Sequence, residues 1–289
     1  MKSRLKTVFY LLLMFGAVCT LGKGQTASAA ESGYDNLGHW DFGDNKVITG
    51  YDVTGDGQAD SIKIAVTKVE DKYESNIGKL EIYVNDKLAF QESAFEMNYW
   101  VVNFVSLENG KVFFDISNMI VSDDVGLHAL YEYKEGKLQS FYDFMDLYGD
   151  GKHIANCAET IKSVKGNTIT VAATAQFFVT GAISYNVKLN YTNKGFKKNS
   201  DRYSILYGKY KKNRWTAARK IKVYQKAGGK KAAYVLKKGN VIKINKIIYK
   251  NNKIFFKVRN KKGKGKTGYI PAAMKFKIPN YFKEAVFVG

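Results

Sequence analysis

Cysteine and proline are nearly missing from this chain of 289 residues, which has two of each. Cys19 lies in the N-terminal segment that we predict below to be removed, so Cys157 would be the only cysteine left. A single cysteine cannot form an intramolecular disulfide, and the fold must therefore depend on its hydrophobic core. Hydrophobic residues make up 45% of the chain, which is enough for one or two domains of ordinary size.

Familiar catalytic motifs are missing as well. The chain has no His-Glu-x-x-His, no Gly-x-Ser-x-Gly and no phosphate-binding glycine loop. Papain-like hydrolases place their cysteine before their histidine, whereas His39, His128 and His153 all precede Cys157. We therefore expect a protein that is not an enzyme. A glycosidase with two carboxylates remains an alternative, because its acids can come from distant positions.

Acidic residues are almost missing from the last third of the chain. From Ser204 onward there are 25 Lys and Arg residues and one acid, Glu284. Residues 31–203 contain 17 basic and 25 acidic residues, a net charge of −8. The sequence thus predicts an acidic domain at residues 30–203 and a basic domain at residues 204–289. A charge excess of one sign indicates an anionic partner.

Residues 1–29 have the pattern of a signal peptide. Lys2, Arg4 and Lys6 precede an apolar run of roughly 14 residues, and Ala27-Ser28-Ala29 provides small residues for cleavage. The run is short of the roughly 20 residues that a membrane-spanning helix needs. We expect a secreted protein that has no membrane segment after cleavage.

The rest of the chain is predicted to be mainly β, with antiparallel strands. Short alternating or β-branched runs are separated by turn residues, as at Lys79 to Val84 before the turn Asn85-Asp86. Similar runs follow at Val101 to Ser106, Ile221 to Tyr224 and Val241 to Ile248.

A glycine-aspartate loop is the sharpest local motif. It places oxygen-bearing residues at alternate positions, an arrangement that suits calcium, with these candidate ligands: Asp52, Thr54, Asp56, the backbone oxygen of Gln58, and Asp60. Lys63 stands where an EF-hand has its glutamate, so the loop is not an EF-hand. It resembles the calcium loops of FG-GAP and VCBS-type repeats, which implies a structural calcium ion in a binding protein. A hairpin turn without metal is the alternative.

Within the basic half, Leu236 to Val241, Lys257-Val258 and Gly268-Tyr269-Ile270 occur in an order similar to that of bacterial Src-homology-3-type (SH3) domains. The resemblance implies a small SH3-like β-barrel that attaches secreted proteins to the bacterial cell wall. Tyr269 replaces the tryptophan usual in that family, and Ile221 to Tyr224 replaces another of its segments. Both departures concern the ligand groove.

Lysine is the dominant cation of this half, and it suits diffuse attraction to anions better than bidentate recognition. We expect the partner to be an anionic cell-wall polymer, either teichoic acid or peptidoglycan, and no specific nucleic acid. A charged surface that only aids solubility is a further alternative. The predicted wall-binding residues are Lys243, Lys246, Lys253, Lys257, Lys261, Lys262, Lys264, Lys266 and Tyr269.

The sequence as a whole predicts a secreted, wall-associated binding or adaptor protein. Two alternatives stay open at this point: a calcium-dependent recognition protein whose basic half is only an anchor, and a wall hydrolase with a carboxylate site that no motif reveals.

Overall fold

The computed structural model describes residues 32–69, 77–95, 97–120, 125–144, 147, 158–177, 179–206, 213–251, 253–260, 265–272 and 281–285. The predicted signal peptide lies outside these residues, as do His153, Cys157, Lys261, Lys262 and Lys264. About two thirds of the described residues belong to antiparallel strands, which confirms the mainly β prediction. Within these ranges there is no helix with the length and apolarity that a membrane span requires.

One of the three sheets has four strands, in the order β3-β4-β5-β6. Its strands are β3 (Asn45–Ile48), β4 (Ile62–Val69), β5 (Ile77–Val84) and β6 (Lys87–Ala94). Buried residues alternate with half-buried ones along β5, as expected for a strand with one face on a core. Asn85 and Asp86 join β5 to β6 with φ angles of 50° and 64°, the left-handed pair that a two-residue hairpin needs. The predicted turn is confirmed.

A six-stranded sheet is buried on both of its faces. Its strands are β1 (Gly33–Asp35), β2 (His39–Trp40), β7 (Met97–Ser106), β8 (Val112–Ile120), β9 (Val125–Lys134) and β10 (Lys137–Asp143). Their order is β1-β7-β8-β9-β10, and β2 also pairs with β7. Phe104 and Phe114 pack into the core of the four-stranded sheet, while Val105 and Phe113 belong to the second core of the molecule. This sheet is therefore the middle layer of the fold.

The second core is completed by an eleven-stranded sheet. Its strands are β11 (Ala158–Lys165), β12 (Thr168–Phe177), β13 (Gly181–Thr192), β14 (Gly195–Lys198), β15 (Arg202–Leu206), β16 (Trp215–Thr216), β17 (Ile221–Tyr224), β18 (Ala232–Leu236), β19 (Val241–Lys250), β20 (Lys253–Asn260) and β21 (Thr267–Pro271). The order is β11-β12-β13-β15-β19-β20-β21-β17-β18, with β14 on β13 and β16 on β19.

Strand β15 lies where the acidic and basic parts of the sequence meet. One of its edges pairs with β13, through Tyr185 and Ile205, and the other pairs with β19, through Tyr203 and Ile247. The division expected between residues 203 and 204 thus falls inside a strand. Charge changes sign there, but the hydrogen-bonded sheet and its core continue across the position.

Gly268 in β21 is needed for close contact with β17. A Cβ atom at this position would lie 2.4 Å from Cγ1 of Val223 and 2.9 Å from the carbonyl oxygen of Tyr224. Both distances are shorter than any ordinary van der Waals contact, and one neighbour is backbone. The glycine of the Gly268-Tyr269-Ile270 motif therefore has a packing role in this structure.

We predict that Gly268→Ala lowers the free energy of unfolding by about 1–3 kcal/mol, because β17 and β21 must separate to admit the methyl group. Urea denaturation of the full chain measures this change. Thr267→Ala on the same strand is the matched control, since Thr267 is exposed and its loss should cost no more than about 0.5 kcal/mol. Equal effects of the two substitutions would contradict the contact.

Candidate anion-binding surface

Strands β19 and β20 separate apolar from charged side chains. Ile244 and Ile247 on β19 and Phe256 on β20 are fully buried, whereas Lys243 and Lys246 are exposed. The strict alternation is interrupted by a bulge at Asn245, which brings Lys246 back to the solvent-facing side. One side of this hairpin thus closes the core and the other carries the cations.

The strand register aligns these cations in pairs. Lys246 lies opposite Lys257, and Lys257 lies opposite Tyr269 on the next strand. Direct partners in an antiparallel sheet share a face, so each row extends across several strands on the outer side. We call the following set the basic face: Lys243, Lys246, Lys250, Lys253, Lys257, Arg259 and Tyr269.

The structure brings together five of the nine predicted wall-binding residues. These are Lys243, Lys246, Lys253, Lys257 and Tyr269, all members of the basic face. Lys266 is exposed just before β21, and its carbonyl oxygen accepts a hydrogen bond from the amide of Asn260. The other three, Lys261, Lys262 and Lys264, are outside the described residues.

Three of the eight cross-strand pairs of the hairpin bring like charges together. They are Lys243 with Arg259, Lys246 with Lys257, and Lys250 with Lys253. The ion pairs found among the described residues all lie in the acidic half. Glu284, the one acid of the basic half, accepts a hydrogen bond from the amide of Thr216 at 2.7 Å. Like charges directly opposite one another are destabilising, and none of the ion pairs among the described residues offsets this cost in the hairpin.

An open cleft of about 220 Å³ lies at one end of the basic face. Its lining combines three cations with two other polar and two apolar side chains: Arg202, Lys226, Lys250, Gln225, Tyr269, Ala227 and Ile248. The cations come from β15, from the turn between β17 and β18, and from β19. Sequence reasoning included only Tyr269, because nothing in the sequence indicates that this turn folds over the outer side of the sheet.

The turn that forms one wall of the cleft is held in place by its own hydrogen bonds. The amide of Gln225 donates to the carbonyl of Lys231 at 3.0 Å, and the amide of Gly229 donates to the carbonyl of Lys226 at 3.0 Å. Gly228 adopts a φ of 73°, and a Cβ there would lie 3.7 Å from the ring of Phe255. Phe255 points to the outer side yet is only 6% exposed, in agreement with a turn that packs over it.

The predicted calcium loop is closed by hydrogen bonds to its own carboxylates. Asp60 is 3% exposed, and its Oδ2 accepts hydrogen bonds from the amides of Val53 and Thr54 at 2.7 and 2.9 Å. Its Oδ1 accepts one from the side chain of Asn85 at 2.6 Å, which ties the loop to the β5–β6 turn. Asp60 therefore satisfies buried donors in the folded chain.

Asp52 and Asp56 also face backbone amides. Both oxygens of Asp52 accept, with Gly55 at 2.6 Å and Gly57 at 2.8 Å among the donors, and Asp56 accepts from the amide of Gln58 at 2.8 Å. Among the described residues no group of three or more His, Cys, Asp or Glu side chains is arranged to hold a metal ion. The five candidate ligands share one loop, and calcium binding there remains a prediction.

A second buried polar cluster lies in the six-stranded sheet. Asp115 is 3% exposed and contacts Nε2 of His128 at 2.9 Å and the hydroxyl of Tyr34 at 3.0 Å. Asn103 donates to the same hydroxyl at 2.8 Å. Burial, followed by the negative charge of Asp115, raises the pKa of Tyr34 well above its usual value. These mutual hydrogen bonds connect β1 with β7, β8 and β9, which is a structural role.

No protein-family model, curated protein or solved structure matches this chain. The resemblances to bacterial SH3-type domains and to FG-GAP repeats therefore stay predictions, each based on the residues that carry it.

We predict that Asp60→Ala destabilises the protein by about 2 kcal/mol with or without a chelator, because two amide donors lose their acceptor in a buried position. Asp56→Ala removes a single exposed contact and should cost far less in the presence of chelator. Thermal melting of both variants and of the unmodified chain measures these changes.

The same melts test the metal. If the loop holds calcium, millimolar calcium raises the Tm of the unmodified chain, and Asp56→Ala removes that gain because a ligand is lost. Unchanged melting of both proteins on adding calcium and on chelation would rule out a stabilising calcium ion.

Proposed function

We propose that this protein is a secreted binding or adaptor protein that attaches to an anionic polymer of the bacterial cell wall through its basic face. The observation that carries the proposal is the alignment of like charges across the β19–β20 hairpin. A folded protein gains nothing from three such pairs by themselves. An external polyanion converts their mutual repulsion into binding free energy, because its charges lie between the cations.

The type of cation supports a repetitive, flexible ligand. All but one of the six cations on the basic face are lysines. Lysine acts as a compact charge on a flexible stem, whereas recognition of one fixed geometry favours arginine. Phosphates of teichoic acid, or carboxylates of peptidoglycan, present such charges at intervals along a chain. Attachment of this kind is reversible and sensitive to salt.

Export of the chain supports a wall polymer over nucleic acid. The N-terminal pattern of Lys2, Arg4 and Lys6 before an apolar run is that of a signal peptide, and a secreted protein meets wall polymers first. The acidic half would then carry the function that is held at the surface. A catalytic role finds no support in the buried Asp115 and His128, because both side chains are engaged inside the sheet.

We predict that the full chain sediments with isolated cell walls at low salt, and that rising salt releases it progressively because ions screen the basic face. Walls stripped of teichoic acid should retain less protein if its phosphates are the ligand, and the same amount if peptidoglycan carboxylates are. Failure to sediment with either preparation at low salt would contradict the proposal.

We further predict that Lys246→Glu makes the protein more stable but weakens its wall binding. The new carboxylate lies opposite Lys257, so a repulsive pair becomes an attractive one worth about 0.2–1 kcal/mol. Chemical denaturation measures the gain, and sedimentation measures the loss of binding.

Lys87→Glu is the matched control for this variant. Lys87 is exposed in the β5–β6 hairpin, and its substitution changes the net charge by the same amount. It should leave wall binding nearly unchanged. Equal weakening by both variants would show that only net charge matters, and would contradict a role for the basic face.

A further inference from the structure

The cleft beside the basic face differs from the rest of that surface in one respect. Elsewhere on the face the cations project from neighbouring positions of two strands. Around the cleft, Arg202, Lys226 and Lys250 come from three separate elements and share one concave space. A flat row of charges attracts a polymer along its length, whereas a concave group of charges can surround a single anionic group.

The charges around the cleft suit phosphate better than carboxylate. A phosphodiester holds its two charged oxygens in a tetrahedral arrangement, and each oxygen accepts more than one hydrogen bond, so cations on different sides can share them. A carboxylate offers two oxygens in one plane, which a single arginine can fully engage. Arg202 provides the planar fork that fits two phosphate oxygens, and Lys226 and Lys250 add charges that adapt their position.

The uncharged lining indicates what the phosphate is attached to. Ala227 and Ile248 provide an apolar surface for a short carbon chain, and Gln225 and Tyr269 provide groups that can bond to hydroxyls. A volume of about 220 Å³ is below the range of roughly 300–1,000 Å³ typical of sites for drug-sized ligands. A small polyol phosphate therefore fits better than a nucleotide, which also has a base to accommodate.

We propose that this cleft is a specific subsite for a polyol phosphate, so that one repeating unit of a phosphodiester-linked wall polymer is bound there while its neighbours follow the basic face. This inference rests on the proposed wall attachment and specifies its ligand. Strand β15 fixes the backbone of Arg202 and the hydrogen-bonded turn fixes the backbone of Lys226, so only their side chains need to order around the ligand.

Titration of the full chain with glycerol 3-phosphate, followed by NMR or calorimetry, tests the proposal. We expect saturable binding of one molecule per chain, with no binding of glycerol, which lacks the charge. A nucleoside 5′-monophosphate is the second arm. Weaker binding of the nucleotide than of glycerol 3-phosphate supports a polyol phosphate as the ligand. Equal or tighter binding of the nucleotide would overturn the proposal in favour of nucleic acid.

Three variants separate a built site from general attraction. Arg202→Lys keeps the charge but loses the fork, and Lys226→Gln removes one cation. Each should weaken glycerol 3-phosphate binding about tenfold or more. Lys238→Gln removes the same charge from an exposed position of the basic half that belongs neither to the cleft nor to the basic face, and it should change binding by less than about twofold. Each substituted side chain is exposed, so we expect unchanged Tm values. Such values establish that all three variants fold.

The result distinguishes this inference from the function on which it rests. If glycerol 3-phosphate does not saturate, or if the three variants weaken its binding equally, the subsite is wrong. Salt-sensitive sedimentation with walls would still support the basic face in that case. If the small molecule binds as expected but walls retain no protein, the wall attachment is wrong and the phosphate site stands as that of a soluble ligand.

Discussion

The pairing of β15 on both edges is the constraint on which the arrangement of this molecule depends. One edge takes the register of β13 and the other takes that of β19, so the two parts of the eleven-stranded sheet are aligned by a strand of five residues. The same strand places Arg202 on the outer side, beside Ile248. The position of the cleft thus follows from backbone hydrogen bonding rather than from any contact between the cations.

The two sides of the β19–β20 hairpin make opposite contributions to stability. Its inner side buries Ile244, Ile247 and Phe256 completely, and burial of side chains of this size contributes roughly 1.5–3 kcal/mol each. Its outer side places Lys246 against Lys257, a repulsion of a fraction of that amount. The core therefore supports a surface that would be unfavourable by itself, and a functional surface can keep such charges as long as the interior is well packed.

Local patterns predicted well those features that depend on neighbouring residues. Alternation indicated β17 at Ile221–Tyr224 with its observed bounds, and Asn85-Asp86 forms the expected turn. The cleft could not be predicted in the same way, since Arg202 and Lys226 approach each other only through sheet order and a turn that folds over Phe255. The loop at Asp52 shows a different limit. Carboxylates at alternate positions suit either a cation or the loop's own amides, and composition alone does not decide between these uses.

The continuity of the sheet across the change of charge also has a mechanical consequence. If the basic half holds the protein to a surface as proposed, moving fluid exerts drag on the acidic half. That tension is shared by the common core and by β15, which has two register positions with β13 and three with β19. A flexible linker would extend under such a load and let the two parts move independently. A shared strand instead keeps the acidic half at a set orientation to the surface until backbone hydrogen bonds begin to break.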